Sequence, residues 1–174
     1  KMIEEAKARN LQEGTDVNFI IGDALDMPFR DEVADIVLIE SLLIFLPAGE
    51  ALKECRRVLK PGGLIIDIEL LARRSLPEYA RQQLKNVCGL PKILSLEEYM
   101  ELYENVGYKK ISAVRSKLPG PLDNLKEMLY IDRNRIVSKE RMAPEYVRTL
   151  LQYRLLILAN RNHLEFGTFI YQKP

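Results

Sequence analysis

Residues 34–70 read ADIVLIESLLIFLPAGEALKECRRVLKPGGLIIDIEL, and the order of patterns within them decides the fold. Residues 35–40 form an apolar run ending in Glu40-Ser41, continuous rather than alternating, as expected of a strand buried on both faces. Residues 49–59 place Leu52, Cys55, Val58 and Leu59 on one helical face. Lys60-Pro61-Gly62-Gly63 then stops the helix, because proline cannot continue its ladder and glycine tolerates a left-handed exit. Residues 64–70 are a further buried run. Strand, helix and strand at this spacing predict an α/β domain with a mostly parallel sheet.

The flanks extend the pattern. Residues 1–13 carry Met2, Ile3, Ala6 and Leu11 at helical spacing, with Gly14 as the stop. Residues 17–21 are a short β-rich run, expected as another buried strand, and lead into Gly22-Asp23. Residues 73–89 are expected to be helical. Ser95-Leu96-Glu97-Glu98 is a capping box, followed by Leu96, Tyr99, Met100, Tyr103 and Val106 at helical spacing and by Gly107 as terminator. Residues 108–115 and 164–172 are expected strands, the second with Gly167 suggesting a bend or bulge. Between them lies a helical insert, 117–163, whose last helix opens at Pro144 and in which Val147, Leu150, Leu151, Leu155 and Leu158 are expected to pack inward.

Composition bounds the possibilities. The 174 residues, 47% apolar and 29% charged, suit one domain and exclude disordered or low-complexity classes. Twenty-six basic against twenty-five acidic residues leave no global signature of a nucleic-acid or membrane-surface binder. Residues 117–163 hold nine basic and five acidic residues, so the insert has a surface unlike the rest. Two cysteines and one histidine make neither a disulfide scaffold nor a thiolate metal site, and a reduced, cytoplasmic protein is expected. The longest apolar stretch, 36–46, is broken by Glu40 and Ser41 and is too short to span a bilayer.

Ligands of open α/β sheets bind at the carboxyl ends of parallel strands, where the sequence places Asp23 and Ala24, Glu40 and Ser41, and Glu69 and Leu70. Gly22-Asp23-Ala24-Leu25-Asp26-Met27-Pro28-Phe29, then Ala34-Asp35-Ile36-Val37-Leu38, then Val58-Leu59-Lys60-Pro61-Gly62-Gly63-Leu64, resemble class I S-adenosylmethionine (SAM)-dependent methyltransferases in order and spacing. The resemblance implies a Rossmann-like sheet with SAM as cofactor. It implies that the Asp23 carboxylate accepts from the adenine amino group and that the Ala24 N–H meets a ring nitrogen. Leu25, Met27 and Phe29 either wall the adenine or are plain core. The Glu40 carbonyl would face the methionine moiety, with Ser41 and Leu42 lining the donor side. The Lys-Pro-Gly-Gly turn is structural in this family, and Phe45 stands in a stretch where many relatives carry His.

The chain also departs from the family. Its glycine-rich cofactor loop and its ribose-binding acid have no counterpart, and residues 1–13 resemble the helix after the second family strand. The expectation is therefore an N-terminally truncated sheet lacking the first β-α-β unit. In the family order 3-2-1-4-5-7-6, that loss opens a gap of ~14 Å beside residues 17–21 and strips them of their partner. A longer natural chain is expected, with a swapped or reorganised homodimer as the other outcome.

Methyl transfer from a sulfonium is an in-line displacement in which positioning supplies much of the catalysis, so no catalytic triad is required and no catalytic residue is assigned. His163 reads as a histidine at a helix–strand junction and Cys55 as packing. In the insert, Arg133, Arg135, Arg141, Arg148, Arg154 and Arg161 recur with Tyr130, Tyr146 and Tyr153, either guiding an anionic small molecule or forming a solvated face. This interleaving is too diffuse to establish a nucleic-acid surface. The expected function is methyl transfer to a small-molecule acceptor. The alternative is a non-catalytic methyltransferase-like module for self-association or partner binding.

Overall fold

A computed structural model describes residues 2–120 and 144–174. In chain order these form α1 (Met2–Glu13), β1 (Ala34–Glu40), a 3-10 turn (Leu43–Phe45), α2 (Ala48–Val58), β2 (Leu59–Ala72), α3 (Glu78–Cys88), α4 (Leu96–Val106), β3 (Lys109–Lys117), α5 (Pro144–Asn160) and β4 (Leu164–Gln172). The sheet order is β1-β2-β4-β3, with β1 parallel to β2 and β4 antiparallel to both of its neighbours. This matches the 4-5-7-6 portion of the order that the resemblance implied.

Local chemistry accounts for the boundaries. The Ser95 hydroxyl accepts from the Glu98 N–H, and the Glu98 carboxylate accepts from the Ser95 N–H, so α4 opens with the expected box. Gly107 leaves α4 in the left-handed region at φ 90°, where a side chain would be strained. Helix α3 starts only at Glu78, later than expected, because Pro77 precedes it and residues 73–76 form a turn closed by Leu76 N–H to Arg73 O. The Lys-Pro-Gly-Gly segment lies inside β2 as a register shift between Ala34↔Leu59 and Ile36↔Leu64. A Cβ on Gly63 would come within 2.9 Å of the Lys60 carbonyl and 3.1 Å of the Asp35 carbonyl, which explains glycine there.

Four expectations are corrected. Residues 17–21 form no strand, and Val17, Ile20 and Ile21 are exposed, since no neighbouring strand among the described residues offers them a ladder. β1 is not buried on both faces. Val37 and Ile39 join the core beneath α2 and α4, whereas Ile36 and Leu38 point to the opposite, uncovered face. Gly167 marks no bulge. Its register is continuous with both neighbours, and a Cβ there would meet Leu71 at 2.7 Å and Phe169 at 2.8 Å, so close packing explains the glycine. In α5, Val147, Leu150, Leu151, Leu155 and Leu158 are exposed, and Leu156 and Ile157 pack inward instead. The part of the insert at 121–143, with Tyr130, Arg133, Arg135 and Arg141, lies outside the described residues, as does the Tyr146 side chain.

Two cores result. The larger sits between the sheet and α2 plus α4, where Tyr99, Tyr103, Phe169 and Tyr171 meet Leu52, Leu59 and Ile65. The smaller joins Leu70 and Ala72 to α3 and α5 through Leu76, Ala80, Leu84 and Leu164. Among the described residues no helix is long and apolar enough to cross a membrane.

Candidate functional site

At the carboxyl end of β1 the chain turns sharply. Ser41 has φ 50°, a left-handed conformation that is costly for a residue with a Cβ. The Ser41 N–H donates to the Ile68 carbonyl at 2.8 Å, extending the β2 pairing one residue beyond β1. In a trans peptide the carbonyl points opposite to the following N–H, so the Glu40 carbonyl is aimed away from β2, toward the open sheet edge. The Leu42 and Leu43 N–H groups then both donate to Glu69 Oε1, at 2.8 and 2.7 Å. Leu43 and Ile44 are buried, one in each core, while Ser41, Leu42 and Phe45 are exposed. The result is a presented backbone with a firmly anchored underside.

The second segment, residues 22–29, is held from α2. Asp23 Oδ1 accepts from the Leu25 N–H at 2.9 Å, and Asp23 O accepts from the Asp26 N–H, which closes a compact turn around Ala24. A Cβ on Gly22 would lie 2.7 Å from Pro28 Cδ. Leu25 and Met27 pack on the larger core, and Phe29 is largely exposed. The Met27 N–H donates to Glu54 Oε1 at 2.7 Å, while the Arg57 guanidinium grips Glu54 through two bonds and also donates to Asp31 and to the Met27 and Phe29 carbonyls. The Arg57 hydrogen bond holds the Glu54 carboxyl below its ordinary range.

Each segment thus rests on one carboxylate, residues 22–29 through the Met27 N–H on Glu54 and Glu40–Leu42 through the Leu42 N–H on Glu69. The sequence places Glu69 as an acid at a strand end and gives Glu54 and Arg57 no role, whereas β2 runs on to Ala72 and holds Glu69 inside the ladder. The three-residue spacing of Glu54 and Arg57 on α2 was the available signal. Replacing Arg57 with alanine is expected to speed amide exchange at Met27 about tenfold. Unchanged Met27 exchange would show that Arg57 does not pin this loop.

β2 carries two buried acids on the larger-core face, Asp67 and Glu69. Burial, then the neighbouring Glu69 charge, pushes the Asp67 carboxyl up to about 8, while the Tyr103 hydroxyl donates to its Oδ2 at 2.8 Å. Burial pushes Glu69 up to about 7 against the opposing effect of the bonds it accepts from the turn. Cys55, on the α2 face, is raised to about 12 by burial, which makes it packing rather than a nucleophile.

A separate cleft of about 640 Å³ opens between the start of α4 and the end of β3, with Arg73, Arg74, Arg115 and Lys117 on its walls. Its lining contains none of the predicted cofactor residues, and Glu97 and Glu165 pair with its arginines. His163 is at the α5–β4 junction, where its Nδ1 lies 3.0 Å from the Ser75 hydroxyl.

A family profile described as "Methyltransferase domain" matches residues 1–67, the stretch that holds both candidate loops. An uncharacterised methyltransferase of Bacillus subtilis, YodH, is 31% identical over 122 residues, spanning 70% of this chain and 52% of that protein. The crystal structure of MccD superposes with a TM-score of 0.72 at 20% identity, covering 99% of this chain and 75% of that one. The sequence matches are to methyltransferases, and the fold is that of the Rossmann-like class I methyltransferases. Geranyl diphosphate methyltransferase, in a structure in complex with SAM, shares the fold at a TM-score of 0.70 and 14% identity, over 98% of this chain and 64% of that one. The chain spans about half the length of the curated relatives it matches, YodH among them.

Proposed function

We propose that this chain takes SAM as donor and methylates a small-molecule acceptor, with Asp23, Ala24, Leu25, Glu40, Ser41 and Leu42 toward the cofactor. The observation that carries this reading is the outward Glu40 carbonyl, locked by the Ser41 N–H to Ile68 bond beside an exposed Ser41-Leu42. A backbone acceptor in that position suits the ammonium of a methionine moiety. Asp23 Oδ1 is engaged by Leu25, which leaves Oδ2 to accept from an adenine amino group next to the Ala24 N–H. The donor set therefore fits both ends of the cofactor, which brings an activated methyl group on a sulfonium. These residues contribute orientation and exclusion of water, and in-line alignment is where the rate gain lies. Relatives whose names specify demethylmenaquinone support a small-molecule acceptor.

Two further parts belong to the same reading. The free thiols Cys55 and Cys88 agree with a cytoplasmic setting. The segment 117–163 is read as a substrate cap or a contact with a second copy, to which α5 brings exposed Arg148 and Arg154 and an uncovered row of leucines.

Calorimetric titration of S-adenosylhomocysteine into the chain tests the reading. Asp23→Asn keeps an acceptor for the Leu25 N–H but can place a donor where the adenine amino group needs an acceptor. Saturable binding that weakens about tenfold in Asp23→Asn, at unchanged Tm, is expected. A folded sample that does not bind would overturn the cofactor assignment for this chain.

A further inference from the structure

Glu69 is fully buried, yet its Oε1 spends its bonding capacity on two consecutive backbone N–H groups of a loop rather than on a cation. No other part of β2 is tied to that loop by a side chain among the described hydrogen bonds. The loop needs such a tie. It begins with a strained Ser41 and turns at once into a short 3-10 segment whose N-terminal N–H groups have no helical partners. An anionic oxygen beneath those groups satisfies them and fixes the peptide planes on either side of Leu42.

We propose that Glu69 is a positioning residue, whose ionised carboxylate holds the Ser41–Leu43 backbone in the conformation that presents the Glu40 carbonyl and Leu42 to the methyl donor, and whose protonation slackens that hold. It rests on the cofactor reading above and adds to it a pH-dependent control of affinity.

The surroundings make protonation accessible. Oε2 is buried without a partner, so nothing beyond the loop's N–H groups stabilises the charge. The titratable groups facing Glu69 are Asp67 on β2 and Tyr99 on α4, neither of them cationic, and its register partner on β4 is Gly167. From the loop it receives backbone N–H groups alone. Burial sets the carboxyl at about 7, so the charged clamp is complete above neutrality and is lost as pH falls through that value.

Two measurements test this on the full chain. The Leu42 and Leu43 amide resonances, without ligand, are expected to titrate together near neutral pH in wild type and to stay constant in Glu69→Gln, which retains an acceptor oxygen but has no charge to lose. S-adenosylhomocysteine affinity is expected to fall about fivefold from pH 8 to pH 6 in wild type. In Glu69→Gln it should be independent of pH over that range and close to the wild-type value at pH 6. Amides that do not titrate, or a variant that keeps the wild-type pH profile, would overturn the proposal. If wild type bound no ligand at any pH, the cofactor reading would fall, and the amide titration would still decide whether the clamp exists.

Discussion

Replacing Tyr103 with alanine is expected to lower Tm by about 10 °C or more, and replacing it with phenylalanine by about a third of that near pH 5. Tyr103 is fully buried and stacks on Tyr171 with ring centroids 4.3 Å apart and planes 12° apart. It also contacts Phe169 and Tyr108, both at 5.7 Å. Truncation would remove the ring that joins α4 to β4, and emptying a site of that size costs about 3–5 kcal/mol. The phenylalanine variant keeps the stack and loses only the hydroxyl that donates to Asp67 Oδ2. Asp67 Oδ1 already lacks a partner, so the carboxyl would be left without its side-chain donor. An orphaned buried acceptor costs about 1–3 kcal/mol. That cost depends on ionisation. The hydroxyl favours the charged form of Asp67, so its loss should hurt more at pH 9 than at pH 5. Thermal melts of both variants at the two pH values separate the two contributions. Equal losses for alanine and phenylalanine would mean that the hydrogen bond, not the stack, dominates.

Periodicity and punctuation made most of the fold legible, because both report local chemistry. The box at Ser95 and Glu98, the glycine exit after α4, and Pro144 at the start of α5 depend on a few adjacent residues, and they formed where expected. The failures share a different cause. Residues 17–21 carry strand-like side chains, but a strand exists only with a partner, and partnership is not encoded in the segment itself. Ile36 and Leu38 were read as buried for the same reason: an apolar pattern shows which residues suit burial, not whether anything covers them. Gly167 shows that a glycine inside a strand can mean contact with Leu71 and Phe169 rather than a bulge.

The candidate site was legible only in part. Of the two expected strand ends, Glu40 closes β1, whereas Asp23 follows no strand and sits in a turn of its own. Their supports were not legible, because Glu54, Arg57 and Glu69 act on loops 26 to 30 residues away in sequence, and such pairings have no local signature.

Raising the pH from 5 to 9 is expected to destabilise the protein steadily, against the usual behaviour of a carboxylate-rich domain. Most acids gain partners on folding, bind protons less tightly than in the unfolded chain, and so favour higher pH. Asp67 and Glu69 do the reverse. Burial raises them to about 8 and about 7 from ordinary values of 3.8 and 4.5. Between about pH 4 and 8 the folded chain therefore keeps protons that the unfolded chain releases, and stability falls as pH rises through that interval. Even one pH unit of this displacement is worth about 1.4 kcal/mol, or about 3–5 °C in a domain of this size, and two carboxyls contribute. The acid side is limited by Glu54, whose Arg57 partner holds it low, so its contribution is lost only below the ordinary carboxylate range. Above pH 9, Cys55 and buried Tyr99, Tyr103 and Tyr108 extend the decline, since each is held above its ordinary value by burial. Melting curves across this range for wild type, Asp67→Asn and Glu69→Gln provide the check. Asp67→Asn still offers Tyr103 an acceptor but has no proton to hold, so its curve should flatten most between pH 6 and 8. A wild-type Tm that is level or rising from pH 5 to 8 would mean that these carboxyls are ionised in the core. The turn at Leu42–Leu43 would then be clamped at every pH in this range, and cofactor affinity would lose its expected dependence on pH.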